Sequence, residues 1–232
     1  MSKICLVTGV GPGTGAAIVR RFADAGYDVA MLARNSDRLT ALAAELPTAH
    51  SWPCDVSNRE LLQHTFEQIT ERHGAPTIIV HNAVAAKPGT YMDVDPARMR
   101  LAFEVNTIAL LQLAQLATPA MVEAGSGAIL CTGNTAAYRG RPHFAGFAPT
   151  KAAQRILLES IAREAGPQGI HAAYIAIDAV IDVPWTRKAY ADKPDEFFCQ
   201  PADIAEECYR LAHQPRSAWT FESVIRPFGE VW

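Results

Sequence analysis

The stretch ICLVTGVGPGTGAAIVRRFADAG, residues 4–26, runs from apolar and β-branched residues through four alternating glycines into a helical pattern that stops at Gly26. Residues 4–9 read as a buried strand, and 14–25 as an amphipathic helix closed by that glycine. Between them lies Thr8-Gly-Val-Gly-Pro-Gly-Thr-Gly15. Glycines let backbone N–H groups close on a phosphate, and the helix N-terminus behind them favours its negative charge. Placed between a strand and a helix, the loop predicts a cradle for the diphosphate of a dinucleotide.

Outward from this unit the same alternation continues. Strands are predicted at 28–33 (DVAMLA), 50–56, 77–82, 127–133 (GAILCTG), 170–178 and near 218–226. Helices fall at 37–46, from a capping box at Ser57-Asn-Arg-Glu60 to His73, from Asp95-Pro96 to 121–124, through Lys151 to Ala165, and at 202–213. Apolar strands alternating with helices imply parallel strands buried on both faces and joined by right-handed crossovers. The expected fold is α/β, a single doubly wound Rossmann domain over 1–232 with a mainly parallel sheet of about seven strands. Residues 184–200 break the alternation and are expected to pass over one edge.

Of the 232 residues 49% are hydrophobic, enough for one sizeable core, and the formal charge of -3 supplies no broad basic field. Nucleic acid is therefore not expected as a partner. No run of about 18 uninterrupted apolar residues suggests a membrane span, and the first strand begins too near Met1 for a leader. Cys5, Cys54, Cys131, Cys199 and Cys208 are scattered without CxxC or Cys/His spacing. Reduced thiols, no metal and a cytoplasmic location are the expectation.

In dinucleotide folds an acid about 20 residues beyond the glycine loop holds the adenosine ribose. Here the second strand ends Leu32-Ala33-Arg34-Asn35, with Arg38 one turn later. A planar guanidinium suits a 2′-phosphate, so NADP(H) is predicted in preference to NAD(H).

At this point the sequence resembles the short-chain dehydrogenase/reductase family over nearly its whole length. Thr8, Gly9, Gly13 and Gly15 match the family's T-G-x-x-x-G-x-G pattern, with Gly11 inside the same loop. Asp55-Val56 is similar to its D-V step, where the aspartate meets the adenine amine. His81-Asn82-Ala83-Val84 is similar to its N-N-A-G segment without the first Asn and the Gly. Asn106 matches the asparagine that organises a water and the catalytic lysine. The resemblance implies cofactor contacts from these residues, from Arg34, Asn35 and Lys151, and from the backbone near Ile181. It also implies a homodimer or homotetramer, and a mobile substrate lid over 184–200 in which Trp185 and Tyr190 line the pocket.

The family's proton chemistry rests on a serine after the fifth strand and a Y-x-x-x-K helix. Asn134 stands in the place of the serine with Thr135 beside it, and Phe147 in that of the tyrosine, while Lys151 is retained. After strand six, where P-G is usual, the chain reads Asp178-Ala-Val-Ile181. Four residues apart on a helix, Phe147 and Lys151 share one face. A phenyl ring has no proton to give, and positioned acid catalysis is typically worth about 10²–10⁴-fold. Asn134 retains an amide donor for a carbonyl oxygen. Tyr138, His143, or a water held by Asn106 and Lys151 are candidate proton sources, so the predicted catalytic set is Asn106, Asn134, Phe147, Lys151 and Tyr138.

Some relatives lacking the tyrosine reduce carbon–carbon double bonds conjugated to a carbonyl, where water can protonate the enolate. The resemblance thus implies a small carbonyl or activated-alkene substrate, with Arg139 and Arg141 available for an acidic group. The alternative is a non-catalytic NADP(H)-binding sensor or regulatory protein on the same fold. Trp219, Phe221, Phe228 and Trp232 gather aromatic surface near the end of the chain, for a subunit interface or for the core.

Overall fold

A computed structural model describes residues 3–86 and 89–229. Its strands are β1 (Ile4–Thr8), β2 (Asp28–Ala33), β3 (Ala49–Pro53), β4 (Ile78–His81), β5 (Gly127–Gly133), β6 (Ile170–Ile177), β7 (Val180–Ile181), β8 (Phe198–Cys199) and β9 (Glu222–Ile225). Its helices are α1 (Thr14–Asp24), α2 (Ser36–Glu45), α3 (Arg59–His73), α4 (Pro96–Phe103), α5 (Ala109–Glu123), α6 (Ala148–Ala165), α7 (Pro184–Ala189) and α8 (Pro201–Ala212). Seven strands form one sheet in the order β3-β2-β1-β4-β5-β6-β9, with every pairing parallel.

The period-2 alternation of strand side chains explains the two cores. Leu6, Ile79 and Ile129 face α3, α5 and α6 through Phe66, Leu113 and Leu158. Val7, Val80 and Leu130 face α1, α2 and α8 through Phe22, Leu39 and Ile204. Because β1 lies between β2 and β4, the strand order reverses there and opens a crevice at the carboxyl ends of the strands. Ligands of open α/β sheets bind in such a crevice.

Two local expectations are corrected. The capping box at Ser57 and Glu60 is not formed: Asn58 is the N-cap of α3, accepting from Leu61 N at 3.0 Å. Ser57 instead donates its hydroxyl to Asp55 at 2.7 Å, so its oxygen is engaged upstream. The long helix beginning at Pro96 is not uniform, since Glu104–Ile108 is a π-helical segment between α4 and α5. Such a segment widens the turn and often marks a functional position; here it carries Asn106. The helical run 96–123 also has the length and mean hydropathy, 1.3, of a membrane span. Its apolarity serves the interior, with Ala102, Leu110, Leu113, Ala117 and Met121 buried against the sheet and neighbouring helices.

Candidate active site

The crevice divides into two adjoining clefts that share Val84. The first, of about 420 Å³, is lined by Gly9, Gly11, Arg34, Asn35, Arg38, Asp55, Val56 and Ala83 among others. Gly9 has φ +69°, and a Cβ there would lie 2.5 Å from Ala83 Cα. A Cβ on Gly15 would lie 2.5 Å from Gly9 O, so both positions require glycine for close approach. N-cap Gly13 supplies no side-chain cap, and while Ala16 N donates to Gly11 O, the N–H groups of Thr14 and Gly15 are left available to an anion. Thr8, Gly13 and Gly15 shape this cleft without lining it. The Thr8 hydroxyl is buried, donating to His81 Nδ1 (3.0 Å) and accepting from Ala83 N (3.2 Å).

At the far end of this cleft Asn35 Oδ1 caps α2 by accepting from Arg38 N at 2.9 Å. Neither the Arg34 nor the Arg38 guanidinium makes an ion pair among the described residues, so two cationic forks reach the cleft without a salt-bridge partner. Asp55 Oδ1 is held by Ser57 N and Oγ.

The second cleft, of about 190 Å³, is lined by Thr14, Asn82, Asn134, Phe147, Lys151 and Ile181, with Thr132 and Gly133 behind. Lys151 is buried; its Nζ donates to Gln154 Oε1 at 2.8 Å and Thr132 O at 3.3 Å, and lies 5.9 Å from the Phe147 ring centroid. Burial lowers its pKa from the ordinary lysine value. Asn134 Oδ1 accepts from Ala136 N at 3.1 Å, while its Nδ2 has no protein partner among the described residues and keeps its donors for a ligand. Asn82 ties the parts together, donating to Gly9 O (2.9 Å) and accepting from the Thr132 hydroxyl (2.9 Å).

Asn106 is fully buried. Its amide exchanges two 2.9 Å hydrogen bonds with the Ala85 backbone and donates to Thr150 Oγ1 at 2.8 Å. Its carbonyl accepts from Gln154 Nε2. The Gln154 carboxamide thereby reaches both Asn106 and Lys151.

The remaining proton-source and substrate candidates lie elsewhere. Tyr138 donates to Glu222 Oε1 at 2.6 Å, and Arg155 chelates the same carboxylate at 2.6 and 2.9 Å. Burial, then the hydrogen bond to Glu222, holds the phenol well above its usual range, and Tyr138 lines a different groove from Lys151. His143 is exposed in a turn with φ +66°, its carbonyl accepting from Gly89 N. Arg139 and Arg141 line the Tyr138 groove and do not face the Lys151 cleft. Trp185 and Tyr190 are 59% and 41% exposed and line neither cleft; Tyr190 packs on Phe197 instead.

Val183, just before the 184–200 segment, packs its methyl against Gly13, while no residue of 184–200 lines either cleft. In the tail, Trp219 stacks on His171 and Phe221 packs under Arg155, while Phe228 is exposed. Trp232 lies outside the described residues.

Two residues escaped the sequence reasoning. Tyr174, buried in β6, places its hydroxyl against the Asn134 backbone, accepting from N (3.2 Å) and donating to O (3.3 Å). The signal was Gly133 at the paired end of β5, where a Cβ would lie 1.9 Å from the Tyr174 oxygen. Gln154 shares the buried face of α6 with Lys151 and Leu158, and its polar side chain hid it there.

A doubly wound parallel sheet, with a glycine loop at its switch point and a buried lysine across the crevice, defines an oxidoreductase of the nicotinamide-dependent type. Residues 3–193 match the model of the short chain dehydrogenase family, and the chain belongs to that family. It is 27% identical to 7alpha-hydroxysteroid dehydrogenase of Escherichia coli K12, over 98% of this chain and 93% of that one. Among solved structures it is similar to an alcohol dehydrogenase from Thermococcus sibiricus complexed with 5-hydroxy-NADP (TM-score 0.87, 25% identity, 100% of this chain and 99% of that one). It is also similar to a 7 alpha-hydroxysteroid dehydrogenase complexed with NADH and 7-oxo glycochenodeoxycholic acid (TM-score 0.86, 26% identity, 99% of this chain and 94% of that one).

Proposed function

We propose that the chain binds NADP(H) in preference to NAD(H) and transfers a hydride to or from a small carbonyl or activated-alkene substrate, with Phe147 where a phenolic acid is expected. The observation that carries this is the unpaired Arg34 and Arg38 at one end of a continuous crevice and Lys151 at the other. The residues fit the cofactor: the uncapped α1 terminus suits a diphosphate, the space above Gly11 is open, and the two guanidiniums suit a 2′-phosphate. One solved relative holds an NADP derivative and another NADH, so the preference rests on the arginines. Once bound, the nicotinamide supplies or accepts the hydride.

The chain's own residues then have separable roles. Asn134 donates through Nδ2 to a substrate oxygen and stabilises charge developing there, without protonating it. Tyr174 fixes the backbone that presents Asn134. Lys151 offers its remaining N–H to the cleft and its charge to a nearby anion. Phe147 contributes an apolar wall and no proton. Conjugated alkenes, whose enolate can wait for water, therefore suit the cleft better than simple ketones. We further infer a homodimer or homotetramer, supported by the exposed apolar Ile156 on α6 and Phe228 in the tail.

Following NADPH absorbance against a panel of ketones, enones and imines tests the assignment. Turnover of enones above simple ketones is the expected result. Tight NADPH binding with no turnover of any of them would convert the assignment to a cofactor sensor.

A further inference from the structure

An ammonium has three donors, and Lys151 uses two of them inside the protein, on Thr132 O and Gln154 Oε1. Gln154 is fully buried on α6, and the other end of its carboxamide donates to the Asn106 carbonyl. A tethered carboxamide thus lies between the lysine and the π-helical segment. Unlike a bridging water, which can accept a proton on one side while giving one up on the other, a tethered carboxamide is a poor proton relay.

The charge on Lys151 has no carboxylate partner among the described residues. The titratable groups that act on or feel it are Cys131 on β5 and His81 on β4. Burial pushes the Cys131 thiol up to about 12, and burial followed by the lysine's own charge pushes His81 down to about 3, so both are neutral at pH 7. A buried cation without a counter-ion persists only when its donors are satisfied. Here one carbonyl and one carboxamide satisfy two of them, and the third is directed to the cleft.

We propose that Gln154 is a positioning residue: by bridging Lys151 Nζ to the Asn106 carbonyl, it holds the lysine as a fixed cation with one donor for the cleft and bars proton passage from the lysine toward Asn106. This deepens the proposed function and rests on the cleft around Lys151 being the reaction site. It implies that the proton completing a reduction enters from the open side of the cleft.

Lysine-selective ¹⁵N NMR of the full chain, without cofactor or substrate, tests the bridge; loss of one resonance in Lys151→Met assigns the signal. Wild type is expected to show a slowly exchanging ammonium. In Gln154→Leu its hydrogen exchange should rise at least about tenfold, and its deprotonation midpoint should fall by about one pH unit. In Gln154→Glu, which keeps the shape and adds a counter-charge, the midpoint should rise. An unchanged Lys151 signal in both variants, with circular dichroism showing both folded, overturns the proposal.

Failure of NADPH to bind wild type would count against the functional assignment and leave this result standing. Where NADPH binds, its pH profile in Gln154→Leu should move with the NMR midpoint. An unmoved profile would overturn the link between Gln154 and the cleft.

Discussion

Acid should weaken the fold through His81, directly beneath the nucleotide cleft. Its imidazole is fully buried, with Nδ1 accepting from the Thr8 hydroxyl and Nε2–H donating to Val105 O, both at 3.0 Å. The neutral ring satisfies both contacts. A second proton would break the Thr8 bond and add a charge within reach of Lys151. Burial first, and the lysine second, lower its pKa from 6.5 to about 3. Between those values the unfolded chain binds a proton that the folded chain does not, so stability falls as pH falls below 6.5. The slope approaches ~1.4 kcal/mol per pH unit, or about 2.7 kcal/mol from pH 7.5 to 4.5. That is a large share of the ~5–15 kcal/mol typical of a domain.

His171 and His73, also lowered chiefly by burial, act in the same direction. Carboxylates held down by arginine, such as Glu222 and Asp182, lose their contribution mainly below about pH 5, as they protonate in the unfolded chain first. His81→Asn isolates the imidazole, keeping a donor and an acceptor without a titration. In urea unfolding at pH 7.5, 6.0 and 4.5, the stability gap between wild type and variant should narrow by about 2.7 kcal/mol on acidification. Parallel pH dependences would refute a neutral buried imidazole at this position.

Three further outcomes are expected. Arg34→Ala should weaken NADP binding by about 10–100-fold while changing NAD binding by about twofold or less, as read by fluorescence titration; equal losses would remove its role at a 2′-phosphate. Phe147→Tyr would put a phenol beside Lys151 and should raise turnover of a simple ketone by about 10²-fold; no gain would mean that the cleft is not poised for hydride transfer. Gly133→Ala should lower stability by about 1–3 kcal/mol or more, because the new Cβ lies 1.9 Å from the Tyr174 oxygen. An unaltered melting temperature would contradict that close approach.

Features set by local pattern were legible in the sequence. DVAMLA and GAILCTG coincide with β2 and β5 because each is an apolar run with sharp polar or glycine borders. That the glycine loop and Arg34 share one cleft was legible, because both follow the carboxyl ends of adjacent strands. Features set by contacts distant along the chain were not. Tyr138 looked available until Glu222, 84 residues away, took its hydroxyl. Gln154 was not singled out, because its bond to the Asn106 carbonyl joins positions 48 residues apart, Asn106 lying in the π-helical segment between α4 and α5. At the start of α3, Ser57 and Asn58 were both competent caps, and Asp55 decided between them by engaging the serine.

The most direct test of the central claim is a crystal structure of the chain grown with NADP. The account predicts the adenosine phosphate between Arg34 and Arg38, the diphosphate over the first turn of α1, and the nicotinamide beside Lys151 and Phe147. A crevice closed by the protein's own side chains, or a nucleotide bound elsewhere, would contradict it.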